Sequence, residues 1–233
     1  MERAGTRVAP TMGSAALAGA IRNGEVTARS ALEACIQRIE EVDPLINAVV
    51  QRRFDLARAE ADRADAELAA DRAIGPFRGV PITIKDQYRV GGLATTLGPV
   101  QRKGTVEDSD GPVVARLHRA GAIVLGKTNV SQMLLQNDAD DPAFGRTSNL
   151  WDLSRTPGGS SGGEAAVIAY GGSSLGLGGD FGGGHGRGRH AARLLAVPGG
   201  DPGTGPAGDR GRIPLTATGP RPRGPAASGR GSA

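Results

Sequence analysis

The sequence predicts an α/β fold, a sheet covered by helical layers, and three observations carry the prediction. Helical periodicity runs from residue 14 to 42, short β-branched or apolar runs occupy 80–85 and 122–125, and a further helical stretch at 111–120 separates those runs. Strands that alternate with helices bury the apolar faces of a sheet under the helices. A chain of 233 residues, 38% hydrophobic, is long enough for one sizeable core over at least part of its length.

Taken in order, Ser14 is placed to cap a first helix over 15–22, Asn23-Gly24 breaks it, and Thr27 is placed to cap a second. In that second helix Leu32, Cys35, Ile36 and Ile39 fall at i, i+3, i+4 and i+7, one apolar face, and Asp43-Pro44 is expected to stop it. Residues 46–50 read as a short strand. Residues 54–71 are Ala-rich with interspersed Arg, Asp and Glu, the pattern of a solvated helix laced with charge pairs. The run 80–85 enters through Gly79 and Pro81, the helix at 111–120 carries Val113, Val114 and Leu117 on one face, and the run 122–125 is expected to end at Gly126.

Composition removes several function classes. No run of eighteen apolar residues exists and residues 1–10 lack the apolar core of a signal peptide, so a cytoplasmic protein without membrane association is the expectation. One cysteine, Cys35, excludes a disulfide framework and a cysteine-based metal site within one chain, and its apolar position reads as a small buried hydrophobe. The three histidines, His118, His185 and His190, are scattered, with His118 on a helix surface, and predict no metal site. The net charge of +4 does not argue for nucleic acid, because eight Arg and two Asp in 184–233 give that segment +6 and leave −2 for residues 1–183.

The same boundary divides the chain in texture. In 184–233, Gly, Ala, Pro and Arg fill 36 of 50 positions, and aromatic residues, Lys, Glu, Asn and Gln are absent. Such a segment buries too little apolar surface to offset its ordering entropy, so 184–233 is expected to be an aberrant or disordered tail behind a partial domain at 1–183. An RNA-binding reading of this Arg/Gly tail lacks repeats and the aromatic residues that stack bases.

Three segments carry chemistry. In Gly79-Val-Pro-Ile-Thr-Ile-Lys85-Asp86 a lysine ends an apolar strand. Desolvation there disfavours its charged form and would make it a base; pairing with Asp86, or snorkelling from the strand end, is the structural alternative. In Thr156-Pro-Gly-Gly-Ser160-Ser161-Gly-Gly163-Glu164, glycines on each side of a Ser-Ser pair let backbone and hydroxyls approach a bound group, and a helix start follows. A phosphate loop would need a Gly-Lys-Ser/Thr ending, which is missing, and a plain Gly/Ser linker is rarely flanked by so clear a helix. In Gly178-Gly179-Asp180-Phe181-Gly182-Gly183-Gly184, consecutive glycines allow successive N–H groups to converge on one spot, as an oxyanion hole requires.

Together these stretches, with Gly121-Ala-Ile-Val-Leu-Gly-Lys-Thr-Asn129, Phe144-Gly-Arg-Thr-Ser-Asn149 and Trp151-Asp-Leu-Ser-Arg-Thr-Pro-Gly-Gly-Ser-Ser-Gly-Gly163, resemble the amidase signature family from about Ser14 to Gly183. The resemblance implies a mixed central sheet flanked by helices, here truncated, and a hydrolase that cleaves the carbon–nitrogen bond of a small-molecule amide without a cofactor. Residue by residue, Lys85 resembles the general base and Ser160 the bridging serine after a cis peptide, with Ser161 its structural neighbour. Phe181, Gly182 and Gly183 resemble the oxyanion-binding residues, and Asp180 the acidic residue that props their loop.

The departure lies at the next position, where the family's nucleophilic serine is replaced by Gly184. Everything after Gly183 changes character at once, which is what a shift of reading frame in GC-rich coding sequence produces, and 211–220 again resembles family text. The expectation is therefore a truncated and inactive member of the family. The alternative is kinship with the tRNA-dependent amidotransferases, whose amidase component shares these motifs; residues 134–141 give no reason to prefer that branch over a free-standing amidase.

Overall fold

The computed structural model describes residues 12–70, 75–180 and 194–198. Its centre is a five-stranded mixed sheet built from β1 (Val49–Arg52), β2 (Pro81–Lys85), β3 (Ile123–Thr128), β6 (Leu175–Asp180) and β7 (Leu194–Pro198), in the order β1-β3-β2-β6-β7. Only β1 runs antiparallel to its neighbour; β3-β2, β2-β6 and β6-β7 are parallel pairs. Parallel neighbours need long crossovers, and helices supply them. These are α1 (Ser14–Arg22), α2 (Ala28–Ile46), α3 (Phe54–Ala69), α4 (Pro112–Arg119) and α5 (Gly162–Ala169), with a small hairpin of β4 (Asp140–Asp141) and β5 (Gly145–Arg146) beside them.

Strand periodicity decides which side chain meets which layer. Ile82 and Ile84 of β2, Val124 of β3 and Leu175 and Leu177 of β6 pack on one face with Leu17 and Ile21 of α1 and Val114 and Leu117 of α4. Ile123 and Leu125 point to the other face, against Leu32, Ile36 and Ile39 of α2, Ala57 and Ala61 of α3 and Val167 of α5. Thr83 and Lys85, out of phase with Ile82 and Ile84, therefore lie on the α5 side of the sheet.

Several sequence expectations shift. Ser14 is the first residue of α1 rather than its cap; Gly13 takes the cap position and no side chain bonds there. Thr27 does cap α2, accepting from Ser30 N at 3.0 Å. Pro44 does not stop that helix, which continues to Ile46 and closes on Asn47 in the left-handed region, whose N–H reaches Asp43 O. A proline in the final turn removes one helix bond, and the Asp43 carboxylate satisfies the chain beyond by accepting from Ala48 N at 2.7 Å and Val49 N at 3.2 Å. The strand expected at 46–50 consequently starts later, at Val49.

Gly126 does not end its strand either, since β3 runs to Thr128. A Cβ at position 126 would lie 2.2 Å from Gln51 O, so glycine there lets β1 approach. His118, expected on a helix surface, pairs through Nδ1 with Asp110 Oδ2 at 2.5 Å and is only 25% exposed. The helix α3 carries the expected charge pairs, Arg53–Glu60 at 2.7 Å and, toward α2, Arg58–Glu33 at 2.9 Å. Cys35 is buried, and burial pushes its thiol up to about 12.

The strand Leu194–Pro198 corrects the expectation that all of 184–233 is structureless: its backbone pairs with β6 from Gly176↔Leu194 to Asp180↔Pro198. The physical basis is the one apolar run of that segment, Leu194-Leu-Ala-Val197. The remainder of 184–233 lies outside the described residues. Among the described residues no helix is long and apolar enough to cross a membrane.

Candidate active site

Lys85 ends β2 with 1% of its surface exposed, on the face covered by α5. Its Nζ donates to Ser160 Oγ at 2.7 Å and to Gly179 O at 3.0 Å. The same carbonyl accepts from Ser161 Oγ at 2.9 Å, and Gly179 N donates back to Ser161 Oγ at 3.3 Å. The end of β2, the turn before α5 and the end of β6 thus meet at one point, although 75 residues separate Lys85 from Ser160 and 94 separate it from Gly179.

The glycines flanking the serines make this closeness possible. A Cβ on Gly159 would fall 1.7 Å from Asp138 O, and one on Gly163 would fall 2.5 Å from Asn129 N. The peptide between Gly159 and Ser160 is cis. Gly158, at φ +93°, adopts the left-handed conformation that glycine tolerates. Behind the serines, Asn129 fixes the loop that receives α5, donating through Nδ2 to Gly145 O at 2.8 Å and to Thr147 Oγ1 at 3.0 Å.

The structural alternative for Lys85, a pairing with Asp86, meets a different arrangement. Successive residues leave a strand on opposite faces, and Asp86 instead faces Lys127, with Nζ–Oδ1 at 3.1 Å and both side chains at 0% exposure. Asp86 also accepts from Gln51 Nε2 at 2.9 Å, Thr96 Oγ1 at 2.6 Å and Leu97 N at 2.8 Å, so it organises the loop 94–98 rather than the lysine beside it. Burial lowers the Lys127 ammonium from its ordinary range, and Asp86 opposes that shift.

Sequence reasoning missed a second buried carboxyl. Glu164, in the first turn of α5 and 0% exposed, accepts from Thr83 Oγ1 at 2.7 Å and from Thr128 Oγ1 at 2.8 Å. Burial pushes it up to about 8, while the two threonine hydroxyls and the charge of Lys85 pull it down. The signal was present in the sequence as the only ionisable residue in the apolar run 162–169. Tyr88 completes the surroundings by donating from its hydroxyl to Gly178 O at 3.0 Å, and burial pushes its phenol up to about 12.

Of the residues singled out from the sequence, Lys85, Ser160 and Ser161 come together. Asp180 closes β6, its backbone paired with Pro198. Phe181, Gly182, Gly183 and Gly184 lie outside the described residues. Among the described residues no group of three or more His, Cys, Asp or Glu side chains could hold a metal ion.

Known proteins with this arrangement are numerous. The Amidase family model matches residues 30–184. The putative amidase AmiB2 of Mycobacterium tuberculosis (strain H37Rv) is 45% identical over 171 residues, which cover 73% of this chain and 37% of that protein. The amidase-like component of the glutamyl-tRNA(Gln) amidotransferase of Prochlorococcus marinus (strain MIT 9313) is 43% identical over 163 residues, 70% of this chain and 34% of that protein. Among solved structures, fatty acid amide hydrolase superposes with a TM-score of 0.72 at 28% identity, covering 75% of this chain and 31% of its own. The 6-aminohexanoate cyclic dimer hydrolase superposes at 0.66 with 35% identity, covering 72% and 34%. The chain thus spans about a third of the length of the curated relatives it matches. By its matched segment and by the sheet that gathers Lys85, Ser160 and Ser161, this chain belongs to the amidase signature family.

Proposed function

We propose that this chain carries the base-and-relay half of an amidase that hydrolyses a carbon–nitrogen amide bond through a Ser-cisSer-Lys triad, and that as written it does not turn over. The observation that supports this reading best is the buried 2.7 Å contact between Lys85 Nζ and Ser160 Oγ. Removing an ammonium from water favours the neutral amine. A neutral Lys85 accepts the Ser160 hydroxyl proton while Ser160 accepts one from a second hydroxyl, which then attacks the amide carbonyl. The tetrahedral oxyanion would be held by the N–H groups of Phe181, Gly182 and Gly183, with Asp180 propping their loop. The relayed proton leaves with the amine, and water hydrolyses the resulting ester.

The second hydroxyl belongs at Gly184, 24 residues after Ser160, where glycine offers no nucleophile. Neither Ser173 nor Ser174 substitutes: both are buried, with Ser173 Oγ bonded to Leu175 O and Ser174 Oγ to Pro81 O, each at 2.7 Å. Because composition changes along the whole of 184–233, a break in reading frame accounts for the substitution better than a point change. Translating the underlying DNA in all three frames checks this: an alternative frame encoding Gly-Gly-Ser-Ile-Arg is expected, and its absence refutes the frame break.

The substrate is a small amide, and a place in a tRNA-dependent amidotransferase is the second reading, favoured by the 43% identity to a component of such an enzyme. An amide-hydrolysis assay on the purified chain, with and without Gly184→Ser, tests the proposal. No turnover is expected from either form, since a restored serine still lacks the remaining two thirds of the relatives' length. Turnover by the unmodified chain would overturn the inactive reading.

A further inference from the structure

Glu164 is a buried ionisable group to which the proton relay gives no part. It sits where three strands and a helix meet. Thr83 and Lys85 leave β2 on the same face, two residues apart, and each ties the start of α5: Thr83 through Glu164, Lys85 through Ser160. The other carboxyl oxygen is held by Thr128 of β3, the register partner of Lys85. On the third strand, β6, a Cβ at Gly176 would lie 2.1 Å from Glu164 Oε2, so glycine there makes the room the carboxyl occupies. Among the described residues, the titratable groups facing Glu164 are Lys85, the Tyr88 phenol and the Tyr170 phenol.

We propose that Glu164 is a positioning residue for the Lys85–Ser160 pair: its carboxyl clamps the first turn of α5 onto β2 and β3, and its charge state is coupled to that of Lys85. Two ionisable groups buried in one low-dielectric pocket do not titrate independently. With Glu164 protonated, Lys85 is free to stand as the amine that the relay needs; with Glu164 ionised, its negative charge holds the proton on Lys85 and the base is lost. The carboxyl that fixes the geometry is thereby also the group that decides whether the geometry is usable. This rests on reading Lys85 and Ser160 as a proton-relaying pair.

The test is an NMR titration of the full chain with 13C at lysine Cε and glutamate Cδ, the Lys85 signal assigned by its loss in Lys85→Met. Glu164→Gln keeps the size of the side chain and a partner for each threonine while removing the charge. The Lys85 midpoint in Glu164→Gln is expected to fall by about one pH unit, tenfold in proton affinity. A midpoint equal to that of the parent chain would make Glu164 structural only and overturn the proposal. If the variant does not fold, the parent chain decides alone: the Lys85 signal must inflect at the pH where the Glu164 carboxyl titrates, and its failure to do so overturns the coupling. Because the titration reads protonation and not turnover, an uncoupled Lys85 leaves the amidase reading standing, and a failed hydrolysis assay leaves the coupling standing.

Discussion

Gly163→Ala tests whether the turn before α5 is as tightly seated as the site requires. The added methyl would lie 2.5 Å from Asn129 N, 2.7 Å from Asn129 O and 3.0 Å from Ala48 O, all backbone atoms. Restoring ordinary contact, roughly 3.5 Å between such atoms, moves the Asn129 backbone by about 1 Å. Those atoms are already committed: Asn129 N donates to Ala48 O at 2.9 Å and Gly163 N donates to Asn129 O at 3.3 Å. Overpacking against rigid neighbours costs about 1–3 kcal/mol, and weakening the two buried bonds adds about 1 kcal/mol. A total of about 3 kcal/mol corresponds to a fall of roughly 10 °C in Tm for a domain of this size. Thermal and urea unfolding followed by far-UV circular dichroism measure it, with Gly104→Ala as control, since nothing lies within 4 Å of a Cβ there. The control is expected within about 0.5 kcal/mol of the parent. If Gly163→Ala melts within about 2 °C of the parent chain, the steric account of this turn is wrong.

Asp43→Ala should cost about 3–5 kcal/mol in the same unfolding assay, because it strands the N–H groups of Ala48 and Val49 and the hydroxyl of Tyr170; Asp43→Asn, which keeps an acceptor, should cost clearly less. Stability should also depend on pH through two buried carboxyls, Asp141, pushed up to about 6 chiefly by burial, and Glu164, pushed up to about 8 by the same cause. Each binds its proton more tightly folded than unfolded, so the stability it contributes is full below the ordinary carboxyl range and is lost as pH rises through about 6 and about 8. Urea midpoints measured across that window should therefore fall less steeply in Glu164→Gln and in Asp141→Asn than in the parent.

Much of this architecture was legible in the sequence because its determinants are local. The i, i+3, i+4, i+7 face of Leu32, Cys35, Ile36 and Ile39 and the β-branched run before Lys85 describe α2 and β2 well, and both lie in the core. The boundaries that moved did so for tertiary reasons. The Asp43 carboxylate carries the chain past Pro44, and Gly126 admits β1 instead of ending β3. Leu194–Pro198 gains a strand from its pairing with β6, a partner that composition does not reveal. In the site, Lys85, Ser160 and Ser161 stood out by motif, but the clamp did not. The partners of Glu164 come from two strands, 81 and 36 residues away in sequence, and no spacing rule joins them. Asp86 adjoins Lys85 yet serves Lys127 and the loop 94–98, because strand alternation turns it away.

The central claim is that the base and the bridging serine are in place while the attacking hydroxyl is missing. Intact-mass analysis after treatment with a fluorophosphonate, which captures activated serines covalently, tests it most directly on the folded, unmodified chain. No adduct is predicted. A stoichiometric adduct on Ser160 or Ser161 that disappears in Lys85→Met would mean that the pair supplies its own nucleophile, and would contradict the account.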